Sequence, residues 1–285
     1  MPRPFPPVVV PPLAEQAGQT FPRIVELMQR LLADDGCPWD REQTLPSLRR
    51  YVLEEACEVI DAIDSGDRSA LAGELGDLLL QVVFQAELAR REGAFGPDDV
   101  VGAICEKLVR RHPHVFADAE VEGSAEVLQN WERIKAAERA ADAERGADKG
   151  VLGGVPRSLP ALTRAQRVGE KVSRVGFDWP DARGSRAKVT EELGELDHAL
   201  ESGDKDAIEA ELGDTLFALV NLARHADVDA EGALRRTIDK FTRRFTHVEG
   251  RVREVRGGWP TSTKDAQLTL AELDGYWDEA KQRES

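Results

Sequence analysis

An all-α protein built from two tandem copies of one helical bundle is the fold that this sequence predicts, and three observations carry the expectation. Residues 53–77, LEEACEVIDAIDSGDRSALAGELGD, return as residues 190–214, TEELGELDHALESGDKDAIEAELGD. Downstream, Lys107-x-x-Arg110-Arg111-x-x-His114-Val115 returns as Lys240-x-x-Arg243-Arg244-x-x-His247-Val248, and Trp131-Glu-x-x-Lys135 as Trp277-Asp-x-x-Lys281. Blocks that recur in the same order mark an internal duplication. Between them, apolar residues follow helical spacing and strand signals are almost absent.

Each element follows from local signals. In the first copy helices are expected over 20–34, 45–65, 67–92, 97–111 and 123–144; in the second over 157–172, 181–202, 204–226, 229–256 and 263–283. Breaks fall at Gly-Asp (66–67 and 203–204), Phe-Gly-Pro-Asp (95–98) and Gly-Gly-Trp-Pro (257–260), where glycine ends one helix and aspartate or proline starts the next. Ser-Gly-Asp between two long helices predicts a tight antiparallel hairpin. The proline-rich opening, residues 1–19, is expected to be an extended, mobile arm. The domains are expected at 20–139 and 157–285, joined by a linker at 140–156 with a turn at Gly153-Gly154.

Composition narrows the function. The chain has 285 residues, enough for two ordinary cores, and is 41% apolar, as a globular protein requires. Its 38 Lys and Arg against 53 Asp and Glu give a net charge of −15, which disfavours a nucleic-acid polymer as partner. Such a balance leaves room for a small phosphorylated ligand whose charge a divalent metal offsets. Three cysteines without a CxxC pair suit a reducing cytoplasm. No signal peptide, membrane span or membrane partner is expected.

The repeated acids carry the chemistry. Glu54, Glu55, Glu58, Glu74 and Asp77 recur as Glu191, Glu192, Glu195, Glu211 and Asp214 at a constant step of 137 residues. On the helix over 45–65, Leu53, Ala56, Ile60 and Ile63 form one apolar stripe, and Glu55 and Glu58 share a face roughly opposite. The next helix reads LLLQVVFQAEL from Leu78, apolar nearly all round, so it is expected to be enclosed by other helices. Glu74 and Asp77 stand at its entrance. Across an antiparallel hairpin the two i,i+3 pairs converge into a four-carboxylate cluster, whose members about 5 Å apart repel by roughly 3 kcal/mol at an effective dielectric of 20. A hard cation, Mg²⁺ or Mn²⁺, suits such all-oxygen ligands. Gly76 and Gly213, inside these helices, point to a close approach of some group to the backbone, with helix–helix packing as the alternative. Glu195-Leu-Asp-His198 is an ExxH, but the second ExxH of a di-iron bundle is missing and Asp61 replaces the histidine in the first copy.

Glu-Glu-x-x-Glu, then Glu-x-x-Asp on the next helix, preceded by GCPWDREQT (36–44) and followed by RRHPHVF (110–116) and the closing tryptophan, resembles the MazG-type nucleoside triphosphate pyrophosphohydrolases over residues 20 to 283. The resemblance implies an all-α dimer or larger assembly that binds Mg²⁺. It implies that free nucleoside triphosphates are split between the α- and β-phosphates into monophosphate and pyrophosphate, in a house-cleaning role against aberrant nucleotides. Glu192, Glu195, Glu211 and Asp214 would then hold Mg²⁺, with Glu55, Glu58, Glu74 and Asp77 as the first copy's set. Glu191 would orient or deprotonate the attacking water beside Glu192. Lys240, Arg243 and Arg244, at i, i+3, i+4, would face the triphosphate, with a solvated basic face as the alternative. Lys107, Arg110, Arg111 and Trp131 form a possible second phosphate site. Trp277 would stack on the base or simply pack, and Lys188 matches a nucleotide-contacting lysine of the family. The resemblance also makes the C-terminal copy the main catalytic unit; Tyr51 stands where Lys188 does, with Arg50 beside it. Ala207 and Ile208 occupy the region where the family can carry a further lysine. Selectivity for dUTP or dCTP, or a metal-stabilised regulatory module without turnover, are the competing readings.

Overall fold

The computed structural model describes residues 21–117, 119, 121–144, 150–259 and 268–284. Twelve helices and no strand occur among them. The chain divides at residues 139 and 140 into two compact units. The proline-rich arm lies outside the described residues, as do 145–149 of the expected linker.

Unit 1 contains α1 (Phe21–Leu31), α2 (Pro38–Glu42), α3 (Leu45–Ser65), α4 (Arg68–Arg91), α5 (Pro97–Arg111), α6 (Pro113–Phe116) and α7 (Ser124–Glu144), whose last residues cross the division. Unit 2 contains α8 (Ala161–Ser173), α9 (Ala182–Ser202), α10 (Lys205–His225), α11 (Ala230–Arg256) and α12 (Leu270–Arg283). Two short helices, α2 and α6, escaped the sequence reading because one turn is too short to show periodicity. Helix α8 starts at Ala161 and not at 157, since Pro160 restrains Leu159 from helical geometry. The expected start of the last helix at 263 lies outside the described residues; its described part opens at a Thr269–Glu272 capping box. The expected linker begins as helix, because α7 continues to Glu144, and a turn with Gly154 at φ 78° follows at 150–154.

The repeated Ser-Gly-Asp is a complete hairpin device. Gly66 and Gly203 adopt φ 74° and 70°, the left-handed conformation that closes a helix. Asp67 then accepts from the backbone N–H of Ser69 and Ala70, and Asp204 from that of Asp206, capping the following helix. Ser65 and Ser202 bridge the turn by donating to the carbonyls of Ala62 and Ala199 while accepting from the N–H of Asp67 and Asp204. The products are two helix pairs, α3 with α4 and α9 with α10.

In unit 1 the core joins Met28 and Leu32, Leu48 of α3, and Val83, Phe84 and Leu88 of α4. Burial corrects two expectations. Leu53, Ile60 and Ile63 are exposed, and the inward stripe of α3 is Leu48, Val52, Glu55, Val59 and Ala62. Helix α4 is not enclosed along its length: its buried residues begin at Gln81, while Leu75 and Val82 are exposed. Farther along, the fully buried Glu87 accepts from Gln29 Nε2 at 3.0 Å and Arg90 Nε at 2.7 Å. The cavity of about 370 Å³ beside it lies roughly 20 Å along α4 from Glu74, at 1.5 Å per residue.

In unit 2, Asp178 in the turn before α9 accepts from both Arg224 Nη atoms (2.8 and 2.5 Å) and from His225 Nε2 (3.0 Å) at the end of α10. The Arg224 hydrogen bonds hold the Asp178 carboxyl below its ordinary range, against the opposing effect of burial. A depressed folded pKa means that this contact contributes in full above about pH 4 and is lost as pH falls through the folded value.

Candidate active site

The inward stripe of α9 is Ser185, Val189, Glu192, Leu196 and Ala199, so Glu192 stands where a core aliphatic residue would ordinarily sit. Its side chain is 7% exposed. Burying an ionised carboxylate costs several kcal/mol unless it is paired. Lys188, one turn earlier, supplies a partner: its Nζ lies 2.6 Å from Glu192 and 2.9 Å from the exposed Glu191. Hydrogen bonds to Glu192 and then Glu191 raise the Lys188 amine well above its ordinary pKa, keeping it charged.

Across the hairpin, Glu211 of α10 completes a triad. Carboxylate oxygens of Glu192, Glu195 and Glu211 all lie within 4.8 Å of one another, and those of Glu55, Glu58 and Glu74 do the same in unit 1. Desolvation, with repulsion from Glu192 and Glu211, pushes the Glu195 carboxyl above its usual range. Desolvation, with repulsion from Asp77 and Glu58, does likewise for Glu55. Asp77 and Asp214 are exposed and do not share that mutual spacing, although Asp77 lies close enough to Glu55 for its charge to act on it. The units differ in their cation: among the described residues no basic side chain pairs with Glu55, Glu58 or Glu74. At Tyr51, the Lys188 counterpart, the Arg50 guanidinium stacks 4.5 Å from the ring centroid, and Trp39 meets the ring edge-on at 6.0 Å.

The donor chemistry of the triads fits a hard divalent cation. All ligands are oxygens, and no cysteine or histidine joins them. His198, the histidine of the ExxH, instead contacts the Gly194 carbonyl through Nδ1 at 2.7 Å. Thr215 Oγ1 and Gln81 Oε1 are buried polar atoms without partners among the described residues, one and two turns beyond Glu211 and Glu74 on the helices that carry those acids. Nothing lies within 4 Å of a Cβ built at Gly76 or Gly213, so helix–helix packing does not explain these glycines among the described residues.

A second cluster forms on α11 and α12. Arg244 donates through Nε to Glu284 Oε2 at 2.8 Å, with Nη2 2.7 Å from the same oxygen, and its Cζ lies 5.8 Å from the centroid of the Trp277 ring. Trp277 also packs on Phe241, with centroids 4.9 Å apart. Arg243 is more exposed and lies 3.8 Å from Glu284; Lys240 is exposed. In unit 1 Arg110 and Arg111 both bond Glu138, at 2.9 and 2.6 Å, Lys107 is exposed, and Trp131 lies beside His112 and Lys135. No hydrogen bond or ion pair among the described residues joins the basic clusters to the acidic triads. Sequence reasoning missed Glu138 and Glu284, although each stands seven positions after the repeated tryptophan.

Comparison with known proteins agrees with this architecture. The profile of the MazG nucleotide pyrophosphohydrolase domain matches residues 43–116 and again residues 183–249. The chain is 46% identical over 265 residues to the nucleoside triphosphate pyrophosphohydrolase of Escherichia coli strain K12, covering 92% of this chain and 97% of that protein. It is 41% identical over 271 residues to the nucleoside triphosphate pyrophosphohydrolase/pyrophosphatase MazG of Thermotoga maritima, covering 94% and 98%. A Bacillus subtilis protein, uncharacterized protein YabN, is 40% identical over 280 residues, 97% of this chain but 55% of its own length. With two matched segments and near full-length relatives, the chain belongs to the MazG nucleotide pyrophosphohydrolase family, whose domain it carries twice.

Proposed function

We propose that the protein hydrolyses free nucleoside triphosphates between the α- and β-phosphates, releasing nucleoside monophosphate and pyrophosphate, with unit 2 as the main site and Mg²⁺ as cofactor. The observation that carries this reading is Glu192: a carboxylate in the core stripe of a helix, gathered with two more and held by a lysine. Glu192, Glu195 and Glu211, with Asp214 beside them, would hold the metal, and Mn²⁺ is the expected substitute. When bound, the metal neutralises phosphate charge and makes water more acidic. Glu191 would orient the attacking water and accept its proton at the carboxylate that now accepts from Lys188. Lys188 pairs with the buried Glu192 and the exposed Glu191 until substrate arrives, then turns its amine to a phosphate oxygen. Lys240, Arg243 and Arg244 bind the leaving pyrophosphate, with charge-assisted hydrogen bonds that strengthen as negative charge develops there. Trp277, already packed on Phe241 and Arg244, offers only its remaining face to a base. Unit 1 keeps the triad and the arginines without the lysine, which fits an accessory metal site. A house-cleaning role and a cytoplasmic location complete the reading; no described helix is long and apolar enough to cross a membrane.

Product analysis tests the bond choice. Incubation with ribo- and deoxynucleoside triphosphates and Mg²⁺ is expected to give monophosphate and pyrophosphate in equal amounts, and none without divalent metal. Nucleoside diphosphate with orthophosphate would reject the assignment.

We also infer self-association. Leu212, Leu216 and Leu219 on α10, and Leu234, Ile238, Phe241 and Phe245 on α11, are exposed stripes at helical spacing. Equivalent positions in unit 1, Leu75, Val82, Val101 and Leu108, are exposed as well. A second copy of the chain is the occupant that matches a surface repeated in this way. Light scattering at micromolar concentration is expected to give a dimer or larger; a monomer throughout would contradict it.

A further inference from the structure

We propose that Glu284 is a positioning residue that aims Arg244 at the triphosphate, and that Glu138 does the same for Arg111 in unit 1. The inference rests on the reading of the arginines as phosphate ligands and adds a residue which that reading does not use. A guanidinium carries five N–H donors in a rigid plane. Glu284 Oε2 accepts from Arg244 Nε at 2.8 Å and lies 2.7 Å from Nη2 in the same ion pair, so that edge of the plane is held by the protein. The remaining donors, on Nη1 and the far side of Nη2, stay available for phosphate oxygens. The Trp277 ring lies along the same side chain, with Cζ 5.8 Å from its centroid. Arg244 is accordingly 20% exposed, whereas Arg243 beside it is 65% exposed.

Unit 1 supplies an independent instance. Glu138 accepts from Arg110 Nε at 2.9 Å and from Arg111 Nη2 at 2.6 Å, and Arg111 is again the less exposed arginine, at 23% against 56%. The surroundings of the two contacts have diverged. Trp277 packs on Phe241, whereas Trp131 meets His112 edge-on at 5.6 Å and carries Lys135 over its ring. The arginine–glutamate contact is the part that both copies share. Surface ion pairs add little to stability, so packing alone gives no reason for the same contact in both copies. Holding a long cationic side chain in its binding rotamer does give one, because the ordering is then complete before the ligand arrives.

The test uses the full chain and steady-state kinetics of pyrophosphate release. Glu284→Ala is expected to raise the KM for nucleoside triphosphate about ten-fold, with kcat changed by less than about two-fold. Glu284→Gln, whose amide oxygen still accepts from Arg244, is expected to restore most of the affinity. In an Arg244→Ala background, Glu284→Ala is expected to add nothing further. A KM that is unchanged or lower in Glu284→Ala would overturn the proposal; a lower value would make Glu284 a competitor that occupies the arginine until phosphate displaces it. A loss of kcat at constant KM would equally overturn it. If Glu284→Ala fails to fold, Glu284→Asp, which withdraws the carboxylate by one methylene, is expected to raise KM several-fold, and an unchanged KM would count against the proposal. Wild-type protein that releases no pyrophosphate would refute the functional reading itself, a result separate from any of these.

Discussion

Replacing Glu192 and Glu195 together by glutamine is expected to lower pyrophosphate release by roughly a thousand-fold, about 4 kcal/mol of activation free energy, while leaving the fold intact. Two of the three gathered carboxylates become neutral amides of nearly the same shape, so the metal loses ligands and charge at once. Two opposed effects set the stability of the variant. Relief of repulsion between these neighbouring carboxylates is favourable, though solvent screens the exposed Glu195. Against it stands the lost ion pair between Lys188 and the buried Glu192, together with a lysine amine left without that charge. The two effects oppose each other, so the melting temperature is expected to shift by only a few degrees. Calorimetry and a pyrophosphate assay on the same preparation check both halves. Turnover near the wild-type rate would remove Glu192 and Glu195 from the chemistry.

Gly36→Ala is expected to destabilise unit 1 by about 3 kcal/mol or more, measured by urea unfolding. After α1 the chain folds back on itself: Gly36 N–H donates to the Ala33 carbonyl at 2.7 Å and Cys37 N–H to the Leu31 carbonyl at 2.8 Å. A Cβ at position 36 would lie 2.1 Å from Leu31 O and 2.7 Å from Arg30 O, both backbone atoms that no rotamer change can move. The turn therefore has to open, and with it goes the path that brings Pro38 to the start of α2 and Trp39 to the edge of Tyr51. Gly66→Ala is the informative control. Gly66 sits at φ 74° with nothing within 4 Å of a built Cβ, so only the left-handed backbone penalty of about 1 kcal/mol applies. Equal losses at the two positions would show that the fold-back is not rigid.

Much of this molecule could be read from the chain before any coordinates. The hairpin at Ser-Gly-Asp, the termini of α3 and α5, and the acids that face each other across the hairpin all follow from spacing and turn chemistry. The apolar stripes were harder. Helix α3 has two of them, and sequence reasoning took Leu53, Ile60 and Ile63, the more hydrophobic set, when the inward stripe is Leu48, Val52, Val59 and Ala62 with Glu55 in its middle. An acid inside the core stripe makes that stripe look weaker than the one facing outward, which is why a ranking by apolar content selects the wrong face. Glu138 and Glu284 were missed for a different reason. A lone glutamate in an acidic chain carries no signal until its arginine is known to lie beside it.

By itself, then, the sequence determined the duplication, the helical class, the tight turns and the identity of the acids and bases, because each depends on residues close together in the chain or on a pattern written twice. Tertiary structure alone decided which face of α3 and α9 turns inward, that Glu192, Glu195 and Glu211 come within 4.8 Å of one another, and that Lys188 and Glu284 hold the charged groups of unit 2. Those outcomes depend on contacts between helices, where the burial of one residue is settled by what another helix places opposite it.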